Sequence, residues 1–318
     1  MATPVQPISG NTHISTSFGK LLEPGLRKIF FETYKELPEQ YSKIYNMLSS
    51  NKAVEHDWGM GALGDWTKRA SELDTVDYGK ISAGLDRTYT HSAYTKGFMI
   101  GRELYDDDQY NQIEKLPKAL ARAGRQSIEK DAMQLLIKGF SKDLPTLGLS
   151  AIYDGKPLFF GAHALVDSVK TCSNLATGAL TAPNLQNAIL TMRKTLDEAG
   201  NLVTFVPSRL IVPPALEYTA RILLESVQAP GSNNNDINTV KGALELVVLD
   251  YIGSANGGSD TAWFIQDASN HELNFFWRMK PEFKWDEDFD TFTAKYRGYM
   301  RYSYGVSDFR GIVGSTGL

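Results

Sequence analysis

The sequence predicts an α+β protein, irregular in outline and rich in strands. Three observations carry this. Glycine is plentiful (27 of 318 residues) and aromatics reach 11%, a mix that suits a β-containing chain better than a helical bundle. Two segments, 108–139 and 184–200, repeat apolar residues at helical spacing. The tail, from 275 onward, alternates aromatic and charged residues, the pattern of long strands with one covered face.

Taken in order, residues 1–24 are polar and rich in Thr, Ser, Pro and Gly, and read as an extended arm. Such a segment has little reason to order alone, so a neighbouring subunit is expected to hold it. The chain begins at Met1, and no large leader is expected to have been removed. Ile29, Phe30, Tyr34 and Leu37 then recur at helical spacing until Pro38 breaks the run. Residues 51–105 are punctuated by glycines and read as short strands or a long hairpin, with too little apolar content for a core of their own. From Asp108 one helical face carries Ile113, Leu116, Leu120, Ala123, Ile128, Ala132, Leu135 and Leu136, with Pro117 in the first turn and Gly139 as the stop. The acidic run YDDDQ at 105–109 is placed to cap that helix. Over 184–200, Leu185, Ile189, Met192 and Leu196 form an apolar face and Gly200 the cap. Residues 229–237 are an exposed loop, and ALELVVLDYI and TAWFIQDA read as strands.

Composition excludes several function classes. Net charge is −4 and the pI is about 5.8, against a nucleic-acid surface built on overall basicity. Cys172 is the one cysteine, so no internal disulfide forms and a cytosolic origin is expected. There is neither a signal-peptide pattern nor an apolar run long enough to span a bilayer.

Motifs with chemistry fail one by one. GMGALG (59–64) lacks the strand before it and the amphipathic helix after it that a dinucleotide site requires. WDEDFD (285–290) imitates a calcium loop, but Thr291 stands where glycine is needed and Arg297 where glutamate is needed. No two of the five histidines have zinc-ligand spacing on a helix, and there is no G-x-S-x-G elbow. No catalytic, cofactor-binding or metal-binding residue is assigned, and the chain is read as a non-enzyme without a cofactor. The stretch PSRLIVPPALEYTARILLES (207–226) resembles a phosphate-binding strand-to-helix turn, yet Pro213 and Pro214 have no N–H to offer an anion. They suit a rigid corner that starts a helix, with Leu216, Ala220, Leu223 and Leu224 on its covered face.

Several stretches together resemble a known family, in the order that family has them. GLRKIFFETYKELPEQY, the tryptophan-rich WGMGALGDWTKR, RELYDDDQYN, YDGKPLFFGAHAL, LIVPPALEYTARILL, KGALELVVLDYI and YSYGVSDFRGIVG resemble segments of the Mu-like bacteriophage major head subunit, a tailed-phage major capsid protein. Gly64-Asp65 departs from the Pro-Gly common there, which touches only local loop shape.

The resemblance implies the tailed-phage capsid fold, shared with encapsulins and the herpesvirus shell floor. Its parts would be an N-terminal arm (1–50), an extended loop (51–105), a peripheral domain with a long spine helix (106–200), an axial domain (201–274) and returning peripheral strands (275–318). It implies assembly into pentamers and hexamers of an icosahedral head around double-stranded DNA, bound non-specifically. Portal, scaffold and decoration proteins are implied partners, with assembly in the bacterial cytoplasm, residence in the virion and no membrane contact. Trp58, Trp66, Arg69, Lys80, Arg102 and Glu103 fall at subunit contacts on this reading, and Pro213 and Pro214 form a structural elbow. Relatives crosslink a loop lysine to a neighbour's asparagine; Lys80 lies in the loop, but the sequence shows no partner for it. Two alternatives stay open: an encapsulin-like shell for protein cargo, and a soluble α/β enzyme using residues 201–260.

Overall fold

Helix α1 spans Phe18–Glu36 and buries Leu26 and Phe30, one turn apart on the same stripe. A computed structural model describes residues 18–60, 66–72, 75–76, 78, 83–107, 112–141, 152, 154–166, 168–229, 236–288 and 293–318. The extended arm expected over 1–24 is therefore helical from Phe18, with Pro24 inside the helix; helix once nucleated on the buried stripe propagates at little cost. Residues 1–17 lie outside the described residues.

The remaining elements are β1 (Asn46–Ser49), β2 (Val54–Met60), β3 (Ala83–Thr90), β4 (Ser92–Gly101), α2 (Arg102–Asp106), α3 (Lys115–Ile137), β5 (His163–Ala164), β6 (Thr171–Cys172), β7 (Leu175–Ala176), α4 (Ala182–Arg193), β8 (Arg209–Val212), α5 (Glu217–Glu225), β9 (Glu245–Val248), β10 (Trp263–Gln266), β11 (Leu273–Asp288), β12 (Thr293–Val306) and β13 (Ile312–Ser315). Two sheets dominate, with strand orders β1-β11-β12-β4 and β7-β13-β10-β8-β9; among the described residues β2 pairs only with β3.

The chain divides into two units, and α3, β11 and β12 give residues to both. In the first, Leu26 and Phe30 pack with Ile100, Ile113, Leu120, Phe283, Ala294 and Tyr296. Phe30 and Phe283 stack with ring centroids 5.2 Å apart, and the Arg125 guanidinium lies 4.2 Å from the Tyr34 ring centroid. Gly97 of β4 is glycine for a steric reason, since a Cβ there would stand 2.5 Å from the Tyr296 carbonyl oxygen of β12.

In the second unit the five-stranded sheet carries the larger core. Leu210, Val212, Trp263, Ile265 and Val313 on its strands meet Leu185, Ala188 and Met192 of α4 and Ala220, Leu223 and Leu224 of α5. The segment before β1 is fastened to α3: both Glu129 carboxylate oxygens accept backbone N–H groups, from Gln40 at 2.8 Å and Tyr41 at 3.0 Å. The Tyr45 hydroxyl donates to the Ala132 carbonyl at 2.6 Å.

Three sequence expectations need correction. The long helix starts at Lys115, with Pro117 in its first turn and no acidic residue there, so the run at 105–109 does not cap it; Tyr105 and Asp106 belong to α2, and residues 108–109 are outside the described set. Gly139 follows the helix end, but packing rather than a left-handed backbone demands glycine, because a Cβ would meet the Phe159 ring at 2.7 Å. The helix read over 184–200 is α4 and ends at Arg193. Beyond it the Leu196 carbonyl accepts from Arg310 Nε at 2.7 Å and the Asp197 side chain accepts the Asn201 N–H at 2.7 Å, so the backbone is committed elsewhere. Gly200, at φ 85°, closes that turn rather than a helix.

Candidate functional surfaces

The β2–β3 hairpin projects an unshared two-stranded ribbon. Its antiparallel register runs from Val54 opposite Thr90 to Met60 opposite Ala83, with an irregularity between Trp58 and Met60. Trp58 is 72% exposed and Trp66 fully exposed. A two-stranded ribbon has marginal stability alone, so its base must be anchored.

A buried polar clamp does this. Ser50 Oγ donates to Glu55 Oε1 at 2.6 Å, which leaves it to accept from His91 Nε2 at 3.1 Å. His91 Nδ1 then accepts from Ser303 Oγ at 2.9 Å. Burial and the nearby Arg301 hold the His91 pKa below its ordinary value despite Glu55, which agrees with a neutral ring. The Ser50 hydrogen bond, with help from Lys52, holds the Glu55 carboxyl low. On the same ribbon Ser307 Oγ donates to Asp57 and accepts from the Tyr89 hydroxyl at 2.5 Å. Burial pushes the Tyr89 hydroxyl up to about 12, and Arg87 Nε donates to the Val306 carbonyl at 3.0 Å.

At the opposite end of the sequence pattern, β8 turns into α5 through Pro213 and Pro214. Pro213 is extended at φ −70° and ψ 162°, and Pro214 opens a single 3-10 turn closed by the Leu216 N–H on the Pro213 carbonyl at 3.0 Å. The solvent side of α5 carries Arg221 between Glu217 at 2.8 Å and Glu225 at 3.2 Å. Tyr218 and Ile222 are 77% and 56% exposed.

The other predicted surface residues are scattered. Arg69 is exposed beyond the end of β2; Arg102 and Glu103 are exposed at the start of α2 in the other unit. Lys80, Leu63 and most of GMGALG lie outside the described residues, as do 229–237 between Pro230 and Asn235. Trp285–Asp288, the start of the calcium-like run, continues strand β11. Among the described residues no group of His, Cys, Asp and Glu is arranged to hold a metal ion, and no helix is long and apolar enough to cross a membrane. The clamp of Ser50, His91 and Ser303 was not foreseen, and no sequence signal announces it: Ser303 lies 212 positions from His91.

The profile of the phage capsid protein family matches residues 85–315. No curated protein sequence matches the chain. Among solved structures, the procapsid of bacteriophage JBD30 is similar at 16% identity and a TM-score of 0.50, over 95% of this chain and 76% of the other. A protein of Mycobacterium phage Patience matches at 11% identity and a TM-score of 0.54, over 99% and 94%. The JBD30 capsid decorated with minor capsid protein trimers matches at 15% identity and 0.52, over 73% and 98%.

Proposed function

Since this chain belongs to the phage capsid protein family, we propose that it is a Mu-like major head subunit whose pentamers and hexamers enclose double-stranded DNA. Its fold is that of tailed-phage major capsid proteins, and it is a structural protein of the icosahedral shell rather than an enzyme. It associates with copies of itself and belongs in the virion.

The observation that carries the proposal is the extent of the family match: residues 85–315 run from within β3 of the hairpin through the whole five-stranded sheet. The proposed division keeps residues 1–50 as arm, 51–105 as extended loop, 106–200 as peripheral domain with α3 as spine, 201–274 as axial domain and 275–318 as returning strands. An unshared hairpin with exposed tryptophans supports the loop assignment, since a ribbon of this kind gains its stability from surfaces beyond itself. Trp58, Trp66, Arg69, Lys80, Arg102 and Glu103 are proposed subunit contacts, and Pro213 and Pro214 the stiff elbow of the axial domain. Portal and scaffold proteins are proposed partners in the host cytoplasm, and the JBD30 relative suggests decoration proteins as well. A net charge of −4 supports weak, non-specific contact with packaged DNA.

Electron microscopy of the purified protein tests this reading. Hollow icosahedral particles or capsomers are the expected outcome, together with portal and terminase genes beside the coding sequence. A stable monomer at high concentration sinks it, and particles filled with a protein cargo move it to the encapsulin type.

A further inference from the structure

One face of the β11–β12 pair gathers cations that no carboxylate meets. The Ser307 N–H donates to the Glu272 carbonyl at 2.9 Å, and the Trp277 and Tyr302 rings lie with centroids 5.5 Å apart. The two strands therefore run antiparallel. One step on from Trp277 and one step back from Tyr302 set Arg278 of β11 opposite Arg301 of β12, on the other face of the sheet. His91 lies on that face: its Nδ1 meets Ser303 Oγ at 2.9 Å, and Arg301 Nε reaches its backbone carbonyl only at 3.4 Å. Burial lowers the His91 pKa, and Arg301 and Arg278 both lower it further against Glu55, which places both guanidiniums near the ring. Lys280, two residues along β11, shares the face and is exposed, while the two arginines are half-buried.

Like charges directly opposite each other destabilise a strand pair. Further along these strands the cations are neutralised, Lys284 by Glu282 at 3.0 Å and Lys295 by Asp288 at 2.6 Å. Among the described residues no carboxylate pairs with Arg278, Lys280 or Arg301. Glu55, the acid nearest His91, is taken by Ser50 and Lys52. Arg278 Nε is moreover a buried donor with no hydrogen-bond partner, an arrangement that costs stability until an acceptor arrives.

We propose that Arg278 and Arg301, with Lys280 beside them, form a binding site for a phosphate group. Guanidinium forks match phosphate oxygens in bidentate fashion, and a tetrahedral group has oxygens enough for two forks and an ammonium, where a carboxylate has only two. The bound group bridges the two strands, offsets the repulsion between the arginines and gives Arg278 Nε its acceptor. Inorganic phosphate and the phosphodiester of a nucleic acid share this chemistry. The site lies within one chain and does not depend on assembly.

Thermal melts of the full chain in inorganic phosphate, compared with sodium chloride at equal ionic strength, test the site. Phosphate well above its dissociation constant is expected to raise the midpoint by about 2 °C or more beyond chloride. In calorimetric titrations Arg278→Gln and Arg301→Gln are each expected to weaken phosphate binding about tenfold or more. Arg278→Lys keeps the charge without the fork and is expected to recover only part of that loss. Lys280→Gln changes an exposed side chain, leaves folding untouched, and is expected to weaken binding severalfold. A single-stranded oligonucleotide separates the sources. Binding that Arg301→Gln weakens supports the site as one for phosphodiesters, and a response to inorganic phosphate alone supports it as one for the small anion. Equal midpoints in phosphate and chloride, or arginine variants that bind phosphate as the parent does, overturn the proposal.

Discussion

His163 Nδ1 lies 2.8 Å from Asp154 Oδ2, with the imidazole fully buried and the carboxylate nearly so. The other ring nitrogen faces Asn174 Oδ1 at 3.2 Å. That oxygen can only accept, because Asn174 Nδ2 donates to the Leu158 and Phe309 carbonyls and the Phe160 N–H donates to Oδ1. Phe309 stacks on the imidazole with centroids 4.0 Å apart. The network joins the loop before β5 to the strand region near β13, and truncating Asp154 removes the partner of the buried His163 Nδ1. Asp154→Ala is expected to cost about 3–5 kcal/mol, and Asp154→Asn distinctly less because an acceptor remains. Urea unfolding checks this; equal midpoints for the two variants would contradict it.

Arg310 anchors a second buried network. Its guanidinium lies 2.8 Å from Glu198 Oε1 and 2.8 Å from Asp308 Oδ2, and Arg310 and Glu198 are each 7% exposed. These carboxylates raise the Arg310 pKa further even against burial. Arg310→Met removes the guanidinium that the buried Glu198 carboxyl pairs with and is expected to cost about 3–5 kcal/mol. Adding Glu198→Gln is expected to recover part of that loss in the same denaturation assay. A double variant as unstable as the sum of two independent losses speaks against the coupling.

His271 sets a pH dependence. Burial, with Arg209 adding to it and Asp267 opposing, lowers its pKa to about 4. Leu273 N–H donates to its Nδ1 at 3.2 Å, which requires that nitrogen bare. The folded pKa is below the unfolded one, so the unfolded chain binds the proton more readily. Stability is complete above about 6.5 and falls as pH drops toward 4, at up to about 1.4 kcal/mol per pH unit. His271→Asn keeps an acceptor without the titration. Melting curves between pH 7 and 4.5 are expected to converge for variant and parent at the acid end, and parallel curves would remove His271 as the cause.

Gly311 holds φ +79°, and a Cβ there would stand 2.2 Å from the Asn270 carbonyl oxygen. Gly311→Ala therefore meets both backbone strain and a clash with main chain. A loss of at least about 1–3 kcal/mol is expected in thermal unfolding. Wild-type stability in this variant contradicts the described turn before β13.

The prolines of the β8–α5 corner act partly through the unfolded chain. Pro213→Gly/Pro214→Gly is expected to lower stability by at least about 0.4–1 kcal/mol for each residue freed, with fewer well-formed particles by electron microscopy. No affinity for phosphate or nucleotide is expected to appear. Normal particle yield would remove the stiffness argument.

Local chemistry determined much of this protein from the sequence alone. The spacing of Ile128, Ala132 and Leu135 marks α3, the Pro213-Pro214 pair marks the start of the α5 segment, and the alternation in the tail marks β11 and β12. These features follow from residues a few positions apart, which is the range over which helical and strand periods and proline geometry operate. The helix ends were less legible: α4 stops at Arg193 because Arg310, far along the chain, takes the Leu196 carbonyl. The polar sites lay further out of reach. Ser50, His91 and Ser303 form one clamp, Asp57 and Ser307 another, and Met47, Glu55 and Glu272 line one groove, with partners up to 250 positions apart. No local pattern encodes such meetings. They exist only once β11 and β12 bring the end of the chain back beside its beginning, because hydrogen bonding and charge act through space at a few ångströms and take no account of sequence distance.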